Sequence, residues 1–116
     1  MGDSFRIQRV RNLIREEIGQ MIVKGSVKDP RISRLVSISD VDVSRDIKYA
    51  KIYVSGFEGA KSLSQSVEAL NHASGFIQMK LAKKMKTRNT PVLTFLADTS
   101  IEHGFEMINK IEDLNT

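Results

Sequence analysis

Two short features of this sequence carry types and spacings that do chemistry. Ala73-Ser74-Gly75 interrupts a run of apolar residues at helical spacing. A mid-helix glycine costs about 1 kcal/mol relative to alanine. Such a break either lets a helix pack closely on its neighbour or opens the backbone amides of a new helical start, and exposed amides at the positive end of a helix dipole bind phosphate. Behind it come Lys80, Lys83, Lys84, Lys86 and Arg88, five cations in nine residues, with no acid anywhere from Asn71 to Ala97. No i,i+4 carboxylate offsets their repulsion. On a helical wheel the lysines lie opposite Ile77, Leu81 and Met85. A solvated face is the ordinary explanation. Beside a break that offers amides, the cluster points instead to contact with a nucleic-acid backbone.

Reactive chemistry has few candidates. The only histidines are His72 and His103, and there is no cysteine. Asp40, Asp42 and Asp46 lie close in sequence but lack the glycine and terminal glutamate of a calcium loop. No HExxH, phosphate-binding loop or nucleophile elbow is present. The expectation is a protein that is not an enzyme and holds no cofactor or metal. Tyr49 and Tyr53 share a strand face with Lys51. That face is either a stacking platform for bases or the second half of a core; the second is favoured, because half-buried strands commonly use tyrosine.

The elements that would position these residues follow from periodicity. Ile7, Val10, Ile14, Ile18, Met21 and Ile22 predict an amphipathic helix over 4–24, capped by Asp3 or Ser4 and stopped by Gly25. A strand follows whose phase changes from Val36 and Ile38 to Val41 and Val43, so a bulge is expected near Ser39-Asp40. "SRDI" turns the chain into a second strand with Ala50, Ile52 and Val54 on one face. A long helix starts near Ala60 to Ser62 and runs to about Met85. Phe76 breaks its stripe, and a bend at the small residues would carry that ring off the charged face into the core. After Pro91 comes a third strand, "VLTFLA", then a final helix. The long crossover allows one parallel strand pair. The order α-β-β-α(kinked)-β-α predicts an α+β fold, a three-stranded sheet with helices on one face.

The 116 residues suit one domain. The net charge of +4 hides a polarity: from Asp98 onward one lysine meets five acids, net −4, leaving +8 on the preceding residues. A basic body with an acidic end suggests a polyanionic partner. The opening lacks the apolar run of a secretory signal, no stretch approaches a membrane span, and the absence of cysteine fits a cytoplasmic protein.

Four stretches together, "RIQRVRNLIREEIGQMI", "KDPRIS", "VDVSRDIKYAKIYVS" and "ASGFIQMKLAKKMKTRNTPVLTFLADTS", resemble bacterial ribosome-binding factor A over nearly the whole chain. The resemblance implies a single type II KH-like domain over 1–97, with 98–116 an acidic helix or tail packed on it or extending from it. It implies that Ala73-Ser74-Gly75 stands where KH domains carry a Gly-x-x-Gly loop. It also implies an assembly factor that binds the immature 30S subunit and 16S rRNA, supports 5′-end processing and growth in the cold, and leaves with the help of a GTPase. The expected RNA-binding set is Ala73, Ser74, Gly75, Lys80, Lys83, Lys84, Lys86 and Arg88, with Arg31, Arg45 and Lys48. A monomer is expected. Gln78 stands where relatives are expected to place a basic residue. A general single-stranded nucleic-acid module, or an adaptor docking through its acidic last helix, are the readings left beside it.

Overall fold

The computed structural model describes residues 2–85 and 89–98. Its elements run α1 (Gly2–Lys24), β1 (Ser37–Val43), β2 (Tyr49–Ser55), α2 (Ala60–His72), α3 (Ser74–Ala82) and β3 (Val92–Ala97). The expected last helix and residues 86–88 lie outside the described residues.

The stripe predicted for α1 is buried: Val10, Ile14, Ile18, Met21 and Ile22 join the core, with Ile7 packed at its margin. The helix begins at Gly2, so it already contains Asp3 and Ser4 rather than starting after them. It stops where glycine permits. Gly25 takes φ +67, its N–H donates to Ile22 O, and Ser26 N–H donates to Met21 O, which satisfies two carbonyls of the last turn.

The sheet order is β1-β2-β3. β1 and β2 are antiparallel, with an irregularity between Ile38 and Asp40 where the phase of the apolar residues changes. β2 and β3 are parallel, joined by the α2–α3 crossover. Register aligns Val41 with Ile52 and Phe95, and Val43 with Ala50 and Leu93, so one face of the sheet is apolar throughout. All of these residues are buried beneath the helices, α1 over β1 and α2 with α3 over β3. In the hairpin turn Ile47 adopts φ 58 with its side chain buried. A β-branched residue rarely takes this conformation. Ser44 and Asp46 hold it in place by accepting the N–H groups around it.

The other sheet face corrects the expectation for the tyrosines. Tyr49, Lys51 and Tyr53 point away from the helices, and no described element covers them; Tyr49 is 62 % exposed. Three helical segments suffice to close one face of three short strands, and the core is complete without the second.

Candidate nucleic-acid interface

The break predicted at 73–75 is a turn at Ala73 between α2 and α3, with φ −92 and ψ 9. The helical ladder closes on each side of it: Ala73 N–H donates to Ala69 O at 3.0 Å and Ile77 N–H to Ala73 O at 3.0 Å. Ser74, Gly75 and Phe76 therefore form the first turn of α3, where N–H groups have no intrahelical acceptor. Among the described residues no side chain caps that end.

Amide side chains tie the two sides of the break to β3 and to the segment just before it. Asn71 Nδ2 donates to Phe95 O at 2.9 Å, and Phe95 N–H donates to Asn71 Oδ1 at 2.7 Å. One amide thus imitates a neighbouring strand on the outer edge of β3. Gln78 Nε2 donates to Thr90 O at 3.0 Å. Gln78, standing where a basic residue was expected, holds the approach to β3. Neither amide was singled out as a structural tie, because an isolated Asn or Gln gives no periodic signal.

Phe76 corrects a sequence expectation. It does not turn into the core; it is 41 % exposed, and Lys80 Nζ lies 5.1 Å from its ring centroid. Because both flanking hydrogen bonds are i→i−4, the helical phase passes through the break almost unchanged. Leu70, Ile77 and Leu81 stay on the buried stripe, and Phe76 stays on the opposite side.

Lys80, Lys83 and Lys84 converge on a cleft of about 260 Å³ between α3 and α1. Lys24, in the last turn of α1, lines the same cleft and was missed, because nothing in the sequence tells which turn of α1 crosses α3. Glu17 also lines it, yet among the described residues none of the four lysines has an ion pair. Lys86 and Arg88 lie outside the described residues.

The remaining candidates are placed elsewhere. Arg31 grips Asp29 with two guanidinium bonds of 3.2 and 2.9 Å and its own N–H, and Glu68 lies 3.9 Å away. Those bonds hold the Asp29 carboxyl down at about 2 and raise Arg31 above its ordinary value. Arg45 and Lys48 are exposed on the β1–β2 turn, and Lys48 O accepts the Val92 N–H at the start of β3. The Ser44 hydroxyl and the Lys48 N–H lower the carboxyl of Asp46 beside them.

The arrangement among the described residues is thus a helix start with no side-chain cap, a bare glycine, an exposed ring and four lysines without an ion pair. Residues 6–111 match the family described as Ribosome-binding factor A. A protein of that name from Treponema denticola is 50 % identical over 110 residues, covering 95 % of this chain and 83 % of its own length. A solution structure from Thermotoga maritima, described as a ribosome binding factor A, superposes with a TM-score of 0.64 at 29 % identity, covering 85 % of this chain and 89 % of that one. The Thermus thermophilus ribosome binding factor A, as fitted into a cryo-EM map of a 30S complex, shares the fold with a TM-score of 0.56 at 22 % identity, over 75 % of this chain and 93 % of that one.

Proposed function

Because this chain belongs to the ribosome-binding factor A family, we propose that it binds the immature 30S subunit and contacts 16S rRNA through the α1–α3 cleft and the break at Ala73-Ser74-Gly75. The domain is a type II KH-like fold in which that break stands in for the Gly-x-x-Gly loop. Phosphates meet the amides of the first turn of α3 and the ammonium groups of Lys24, Lys80, Lys83 and Lys84; Lys86 and Arg88, outside the described residues, are proposed as further cationic contacts. Arg45 and Lys48 extend the contact along the hairpin turn; Arg31 reaches RNA only by exchanging Asp29 for a phosphate. The chain acts as a cytoplasmic monomer in late maturation and 5′-end processing of 16S rRNA, including in the cold, and its release is assisted by a ribosome-associated GTPase. It works by occupying and positioning RNA rather than by a reaction of its own.

The observation that carries this reading is four lysines brought into one cleft with no ion pair to a carboxylate among the described residues. Collecting like charges there opposes folding, and a polyanion offsets it. Each phosphate neutralised adds about −0.7 to −0.9 to the salt slope of binding. Replacing Lys80, Lys83 and Lys84 together by Glu is expected to abolish cosedimentation with small subunits while leaving the thermal midpoint nearly unchanged. Retained cosedimentation would reject the assignment.

A further inference from the structure

We propose that Phe76, with the bare backbone of Gly75 at its side and Lys80 at its face, is a stacking platform for an unpaired nucleobase of single-stranded RNA. The inference rests on the RNA-binding reading and adds to it a base contact where that reading has only phosphate contacts.

Three observations meet here. Phe76 and Met79 are exposed, 41 % and 54 %, on the side of α3 opposite the buried Ile77 and Leu81. Neither is needed to complete the core, and an exposed aromatic beside an exposed thioether does nothing for solubility on a helix whose one charged residue is Lys80. Second, Lys80 belongs to two environments: its Nζ stands over the Phe76 ring, and its side chain lines the cleft shared with Lys24. At an exposed site a cation over a ring gains only about 0.5–1 kcal/mol. A base arriving on the ring displaces the ammonium readily, and the ammonium then meets the phosphate of the same nucleotide.

Third, Gly75 is unexplained by the fold. It has no positive φ, and among the described residues a Cβ built on it would meet nothing within 4 Å. Alanine would fit and would favour the helix. The close-packing explanation for a small residue therefore does not hold at this position. What glycine supplies is a flat surface next to the ring, where a ribose can lie against the first turn of α3. Every base has a π-face, so the platform is expected to accept any base and to demand only that it be unpaired.

The chain contains no tryptophan, so Phe76→Trp places a single indole reporter at the platform. With the full chain, the probes are a short single-stranded RNA and an abasic ribose-phosphate strand of equal length. The RNA is expected to quench the indole, and the abasic strand to leave it unchanged. Phe76→Ala is expected to weaken RNA binding roughly five- to 150-fold, the range that stacking contributes, with an unchanged salt slope and unchanged affinity for the abasic strand. Since the ring is on the surface, the thermal midpoint of that variant should stay near that of the parent chain. Equal affinity of the parent chain for the two strands, or an equal loss on both in Phe76→Ala, would overturn the platform. Failure here is separable from failure of the underlying reading. If the triple lysine reversal abolishes subunit binding while Phe76→Ala binds RNA normally, only the platform falls. If the triple reversal still cosediments, the interface itself is misplaced, and the platform falls with it.

Discussion

Arg11 and Arg15 leave α1 for β1, where Arg11 meets Asp40 at 3.1 Å and Arg15 donates to Ser39 O at 3.0 Å. Further along the same helix, Lys24 faces Lys80, Lys83 and Lys84 across a cleft. The charge is the same, but its use differs. On the arginine side each cation finds an acceptor at the bulge of β1, and Asp40 Oδ1 also accepts the Val41 N–H. A fork of donors suits such fixed geometry, whereas a lysine is a mobile point charge that adapts to a phosphate. A satisfied region belongs to the fold; an unsatisfied one belongs to a partner. The same division runs through the crossover. Its inner side is tied by Asn71 to β3 and by Gln78 to Thr90 just before that strand, while its outer side carries Gly75, Phe76 and the Lys80 ammonium over the ring.

Breaking the tied side should cost the most. Asn71→Ala removes two hydrogen bonds to Phe95 and leaves its peptide groups to find other partners; a loss of about 2–3 kcal/mol is expected from urea unfolding. A change below about 0.5 kcal/mol, the level of an ordinary surface substitution, would mean that the amide only decorates the edge. The outer side should respond with opposite signs. Gly75→Ala is expected to raise stability by up to about 1 kcal/mol, because the helix gains and nothing clashes, while RNA affinity falls. A smaller test of the division is Lys24→Ala. Stability should stay within about 0.5 kcal/mol of the parent chain, and the salt slope of RNA binding should flatten by about 0.7–0.9. An unchanged slope would remove Lys24 from the interface.

Much of this was readable from periodicity. The α1 stripe and the bulge where Val36 and Ile38 give way to Val41 and Val43 follow from which residues must share a face, and the long crossover allowed the parallel pair that β2 and β3 form. The break at Ala73 was readable too, but its geometry was not. A sequence says that a helix is weakened; whether the phase of the next segment shifts depends on which hydrogen bonds survive. Here the i→i−4 bonds on both sides persist, so Phe76 stayed outside. Lys24 was invisible for another reason: its partners are set by where two helices cross. The pairing of Arg31 was legible in principle, since Asp29 sits two residues before it across Pro30, a spacing that invites a local turn bond.

The smallest expected effect tests the satisfied side by pH. The Arg31 side chain, then its N–H, hold Asp29 at about 2 against an ordinary 3.8. A carboxyl with a depressed folded value contributes stability above its unfolded value and loses it as pH falls through the folded one. The contribution of Asp29 is therefore intact above pH 3.8 and vanishes on the way down to about 2. Asp29→Asn keeps an oxygen for the Arg31 N–H and removes only the charge. Thermal midpoints of this variant and the parent chain should differ by a small constant amount at neutral pH and converge as the acid range is crossed. Because the pair is exposed, the gap should also shrink with added salt. Lys83→Met, on the unpaired side, should leave the acid limb of the stability curve where it was, since no described carboxylate pairs with that lysine. A shift of that limb would show that the cleft lysines have a carboxylate partner after all, and the contrast between the two sets of cations would be lost.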